Sequence, residues 1–141
     1  MEIRCELIRI MITETGDHQV IVLKEANGER AFPIVIGFFE AAAIDRRIKG
    51  HVLPRPMTHD LLGSVIEALG GKLAKVVITD LKEHTYFASL VIRRGVDSVV
   101  VDARPSDAIA LAVAGNTPIF VEERVLDEVA GPGNPGFGFN V

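Results

Sequence analysis

Residues 99–115 read VVVDARPSDAIALAVAG, and residues 34–50 read IVIGFFEAAAIDRRIKG. Each runs from a β-branched stretch through a short link to an acid, then an alanine-rich segment, then glycine. β-Branched runs favour strand, alanine favours helix, and glycine ends a helix by tolerating left-handed backbone. The strand opening each passage is the last of three: 3–12, 19–24 and 31–36 in the first half, 73–79, 85–92 and 96–101 in the second. Three strands followed by a helix are thus given twice. Strands adjacent in sequence and joined by short links form local hairpins, which predicts an α+β fold, a mixed sheet with helices, rather than a doubly wound parallel one. The likeness of the halves reads either as an internal duplication of a three-strands-then-helix unit or as a recurring pattern without common ancestry.

The intervening sequence fills in the order. Residues 3–12 (IRCELIRIMI) carry a possible irregularity at Leu7-Ile8, and Asn27-Gly28 signals a hairpin because both residues tolerate positive φ. Pro33 lacks an N–H, which places its strand at a sheet edge or leaves it paired on one side there. Residues 58–69 (THDLLGSVIEAL) read as an extra helix with Leu61, Leu62, Val65, Ile66 and Leu69 on one face, ended by Gly70-Gly71. A helix from Pro105 stops at Gly115, then come a short strand at 118–121 and a short acidic helix at 123–130. The expected domain is 1–130, with 131–141 (GPGNPGFGFNV) a flexible Gly/Pro-rich tail.

Composition bounds the function. With 141 residues, 48% hydrophobic and 24% charged, the chain suits one folded domain. The lone Cys5 excludes an intramolecular disulfide, and Glu2, Arg4, Glu6 and Arg9 interrupt the apolar N-terminus, so neither a signal peptide nor a membrane span is expected and a cytoplasmic protein is. The net charge of −4 is unlike that of a protein gripping nucleic acid through its overall field. A local basic patch, Arg46, Arg47, Lys49 and Arg55, is the exception. Gly-rich phosphate loops, zinc-ligand spacings and nucleophile elbows are missing.

Two helix starts stand out: Arg55-Pro56-Met57-Thr58-His59-Asp60 and Arg104-Pro105-Ser106-Asp107. Proline suits a first turn, and Thr58, Ser106, Asp60 and Asp107 are able to accept from free backbone N–H groups. Neither arginine nor histidine is needed for that. A helix start with an arginine beside it is an anion site, and a neutral histidine serves as a base or a metal ligand. Acids also stand at element ends, at Glu40, Asp80 and Asp102. Phosphodiester cleavage assisted by Mg²⁺ or Mn²⁺ needs such carboxylates to converge. On the residues alone the reading is an anion site at two helix starts.

The string Phe32-Pro33-Ile34-Val35-Ile36-Gly37, then Glu40-Ala41, then the two Arg-Pro starts and Ala108-Ile109-Ala110-Leu111-Ala112, resembles the bifunctional nuclease domain family over roughly residues 3–130. Thr85-Tyr86-Phe87-Ala88 and Pro118-Ile119-Phe120-Val121 fit it too, while Val35 stands where the family often has Trp. The resemblance implies an α+β fold, nuclease activity on DNA and RNA, nucleic acid as partner, self-association as a homo-oligomer, and no membrane. The site it implies is Glu40, His59, Asp60 and Asp107 as catalytic residues, with Arg55, Thr58, Arg104 and Ser106 binding substrate and Asp80 a weaker addition. In that reading Glu40, Asp60 and Asp107 hold Mg²⁺ or Mn²⁺, His59 or a metal-bound hydroxide activates water, and Arg55 and Arg104 bind the scissile phosphate. The alternative is a regulatory module that binds an anion or nucleotide without turnover.

Overall fold

The computed structural model describes residues 1–13, 15–16 and 18–131. Strands β1 (Glu2–Met11), β2 (Gln19–Glu25) and β3 (Ala31–Ile36) lead into helix α1 (Phe38–Ile48), and α2 (Thr58–Ala68) follows. Strands β4 (Lys72–Lys82), β5 (Thr85–Arg94) and β6 (Asp97–Ala103) lead into α3 (Pro105–Gly115), then β7 (Ile119–Glu122) and α4 (Glu123–Ala130). The tail from 132 onward, expected to be flexible, lies outside the described residues.

Among the described residues the strands form one 7-stranded sheet of order β3-β2-β1-β7-β4-β5-β6. Each meander is antiparallel within itself. Strand β7 joins them, antiparallel to β1 and parallel to β4, which makes the sheet mixed and the fold α+β. Both halves have the meander-then-helix order, but strand pairing does not establish common descent. Strand β3 is an edge, as Pro33 requires. Strand β1 slips register between Leu7 and Arg9, where the irregularity was expected.

The core follows from alternation along the strands. Phe32, Ile34 and Ile36 of β3 turn inward with Ile21 and Leu23 of β2 and Val76 and Ile78 of β4, while Val35 faces out. Helix α3 contributes an unbroken run, Ala108 through Ala112, to the same core. An apolar helix without a polar face belongs inside, and its small alanines let it pack against α1, α2, β4 and β5 together. A smaller cluster, Val20, Val22 and Ala31 with Met11 packed against it, lies apart from this core.

Helix α2 departs from its pattern. Its apolar stripe exists at the expected spacing, yet the helix buries none of its residues. Leu61, Leu62, Val65 and Leu69 are exposed, and Ile66 is half-buried. The spacing fixes which side chains share a face, while burial depends on whether another layer covers that face.

Two turns also correct the expectation. Asn27-Gly28 lies in the β2–β3 connection, but neither residue adopts positive φ. A Cβ on Gly28 would meet the Glu25 carboxylate, which would have to swing aside. Left-handed residues stand instead at Glu83-His84 (φ 50° and 65°), between β4 and β5, where the sequence carries neither Asn nor Gly, and at Gly95 (φ 61°), between β5 and β6. At the end of α3 the left-handed residue is Asn116, one beyond Gly115.

Candidate functional site

Three helices begin close together, and each carries an acid at its third position: Glu40 in α1, Asp60 in α2 and Asp107 in α3. That placement suits the positive end of a helix dipole. The flanking N-cap positions are Gly37, Met57 and Arg104, none making a side-chain cap hydrogen bond. Thr58 and Ser106, expected as possible acceptors for free N–H groups, thus sit inside the first turns. Thr58 is exposed and has no partner among the described residues, and Ser106 is only 6% exposed.

Helix α3 packs against both α1 and α2, and its start is where the polar groups meet. Arg104 reaches Glu40 Oε1 from Nη2 at 3.0 Å and Asp107 Oδ2 from Nε at 2.8 Å. Asp107 Oδ1 lies 2.9 Å from His59 Nε2. Glu40, Arg104, Asp107 and His59 therefore form one chain of contacts spanning three helices. Glu40 folds back over Gly37, where a Cβ would lie 3.1 Å from both carboxylate oxygens. A residue larger than glycine at 37 would push that carboxylate aside.

The other expected residues lie elsewhere. Asp60 turns away from Asp107: its Oδ1 accepts from Arg47 Nη2 at 3.1 Å and its Oδ2 from the Met57 N–H at 3.0 Å. Asp80 is bound by Arg124 of α4 at 3.0 Å. Arg55 has no polar partner among the described residues and lines a hollow of about 250 Å³ with Arg46, Arg47 and His51. For the expected metal site, Glu40 and Asp107 enclose a guanidinium and Asp60 faces another. Among the described residues no group of three or more His, Cys, Asp or Glu is placed to hold a metal ion. The donor set does not fit a metal cage as arranged.

His59 and Asp60 also line a cleft of about 570 Å³ bounded by α2, the end of α3 and the start of β4. Lys72 and Arg93 contribute to it and are absent from the site read from sequence, because no motif contains them.

Burial by itself would raise the Asp107 pKa, but hydrogen bonds from Arg104 and His59 and their charges outweigh it and hold Asp107 below the ordinary carboxylate range. An ionised carboxylate only accepts, so Nε2 of His59 is the donor and, in the neutral ring, Nδ1 carries the lone pair. A carboxylate whose pKa is lower folded than unfolded stabilises the fold above its unfolded pKa and loses that share as pH falls through the folded value. Urea midpoints from pH 7 to about pH 3 are therefore expected to fall less steeply in Asp107→Asn than in wild type. Parallel curves would mean that Asp107 is not held in this contact.

Comparison with known proteins agrees with this arrangement of motifs. The Bifunctional nuclease domain matches residues 21–132. An uncharacterized protein of Mycobacterium tuberculosis is 45% identical over 120 residues, covering 85% of this chain and 71% of its own. Bifunctional nuclease 1 of Oryza sativa subsp. indica is 24% identical over 120 residues, 82% of this chain and 36% of its own. Bifunctional nuclease 2 of Oryza sativa subsp. japonica is 29% identical over 114 residues, 78% of this chain and 35% of its own. The chain thus spans about a third of the length of these plant proteins.

Proposed function

Because this chain belongs to the bifunctional nuclease domain family, we propose that it hydrolyses phosphodiesters of DNA and RNA, with His59 as general base and Asp107 orienting it. The observation that carries this is the 2.9 Å contact between His59 Nε2 and Asp107 Oδ1 at the wall of a cleft. Asp107 fixes the tautomer, and Nδ1 takes a proton from water as the water oxygen bonds to phosphorus and the leaving P–O bond breaks. Solvent returns a proton to the leaving alkoxide. Arg104 acts as a positioning residue, holding Glu40 and Asp107 on either side of its guanidinium. Arg55, unpaired and beside Arg46 and Arg47, binds the phosphate backbone. No residue role in this step depends on Mg²⁺ or Mn²⁺, whose donor set the described residues do not form as arranged. The test is cleavage of labelled single strands with and without added metal or EDTA, by wild type and site variants prepared identically.

The second reading is an anion- or nucleotide-binding module without turnover. It is favoured by Arg55, which has no polar partner among the described residues and lines a hollow with Arg46, Arg47 and His51. Tight binding of a nucleotide that is never converted supports it over the first.

Self-association is proposed on the α2 face, where Leu61, Leu62, Val65 and Leu69 stay exposed together. A patch of this kind on a folded domain marks an interaction surface. Light scattering on wild type is expected to give a dimer or larger assembly, and Leu62→Glu with Val65→Glu a monomer of unchanged helix content. A monomeric wild type removes the proposal. Among the described residues no helix is long and apolar enough to cross a membrane. A cytoplasmic setting is part of this proposal.

A further inference from the structure

Lys72 and Arg93 stand directly opposite one another on β4 and β5. Residues opposed in an antiparallel pair project from the same face with Cβ atoms about 5 Å apart, and like charges so placed repel. Both side chains are exposed, and neither has a hydrogen bond or ion pair among the described residues. The repulsion is therefore uncompensated by any described carboxylate.

The pair lies on a firm support. Gly71 donates its N–H to the Ile66 carbonyl at 2.9 Å. A Cβ on Gly71 would sit 2.9 Å from Ile92 Cγ2 and 3.1 Å from that carbonyl oxygen. The end of α2 and the end of the hairpin are thus in contact at the root of the pair. From there both cations face the cleft that His59 and Arg47 also line. Its acids are Asp60, already bound to Arg47, and Glu67, so the charge left over at this end is positive.

We propose that Lys72 and Arg93 form a phosphate seat for a single nucleic-acid strand, holding a non-scissile phosphate while the linkage to be cut lies at His59. This rests on the nuclease reading and extends it to the strand's path. The cleft, about 570 Å³, has the size of a small-ligand site and takes a few nucleotide units of one strand, not a duplex. Among the described residues no Phe, Tyr or Trp lines it, so the seat reads backbone and tolerates any sequence.

The test measures binding apart from cleavage. A labelled oligothymidylate is titrated by fluorescence anisotropy across a range of salt, in the His59→Ala background so that the strand stays intact. Each seated phosphate contributes a slope of roughly −0.7 in log affinity against log salt for a single strand. Lys72→Ala and Arg93→Ala are expected to weaken binding, and their double variant to flatten the slope by about 0.7 for the shared phosphate. Relief of the repulsion is expected to leave Tm unchanged or raised, which separates a lost contact from a damaged fold. Variants that bind the strand like their parent overturn the seat, whatever the cleavage assay shows. Weakened binding in variants of a protein that cleaves nothing keeps the seat and removes the nuclease reading. Thymidine monophosphate competing as tightly as the strand overturns the strand path, since the seat would then serve a free phosphate monoester.

Discussion

His59→Ala is expected to lower cleavage of labelled single-stranded RNA and DNA by about 10²- to 10⁴-fold, the usual worth of a positioned general base. The ring is held at Nε2 by Asp107, and His59 lines the cleft, so the proposal assigns Nδ1 as the base. His59→Gln keeps a polar partner for Asp107 but offers no base, and is expected to be as inactive as alanine. Asp107→Asn retains the shape of the side chain while removing the charge shared by Arg104 and His59. Its activity is expected to fall as well, because the ring loses its fixed tautomer. Circular dichroism and melting of each variant show whether the fold survives. Activity equal to wild type in all three would point to a contaminating nuclease and leave the non-catalytic anion site as the better account.

Phe32→Ala is expected to cost about 3–5 kcal/mol of stability, read from the midpoint of urea unfolding. A domain of ordinary stability has only about 5–15 kcal/mol to lose. Phe32 is the largest of the fully buried side chains and packs 5.8 Å, centroid to centroid, from Tyr86. Burial and the nearby Glu128 push the Tyr86 hydroxyl up to about 12, in keeping with its place against the core. Truncating Phe32 removes a ring and leaves a cavity in a packed core that relaxes only partly around it. Phe32→Leu keeps more volume and is expected to cost markedly less. A loss below about 1 kcal/mol for alanine would mean that the core there collapses readily.

These two residues show what a sequence conveys and what it withholds. Phe32, Ile34 and Ile36 belong to a run, AFPIVI, whose composition marks a strand, but Ala31, Pro33 and Val35 are apolar too, so the inner face is not legible from periodicity. Helix starts are legible because proline, acids and alanines announce them, and Glu40, His59, Arg104 and Asp107 all stand at such starts. That Asp60 turns to Arg47 instead of joining them is a matter of how α1 and α2 are placed, which no local pattern encodes. The exposure of Leu62 and Val65 has the same cause: spacing assigns a face but not a neighbour.

Register was the least accessible level. The hairpin pairs Lys82 with Thr85, and regular counting back from that turn would set Lys72 opposite Gly95. Shifts at Leu73/Lys75 and Ile78/Asp80 set it opposite Arg93 instead. A pair of cations that defines one end of the cleft therefore arises from two irregularities that leave no clear mark in the residues.

The central position of β7 bears on how the protein is made. A ribosome delivers the chain from its N-terminus, at about 5–20 residues per second. Both meanders emerge before Ile119–Glu122, the segment that joins β1 to β4. Until then the nascent chain holds two separate sheets, each with an inner edge of unpaired backbone groups that invites a strand from another chain. Synthesis that stalls before residue 119 is therefore expected to yield products that aggregate or occupy chaperones. Emergence of β7 converts two adhesive meanders into one sheet, so a strand of 4 residues decides when the nascent molecule becomes safe to handle in a crowded cell.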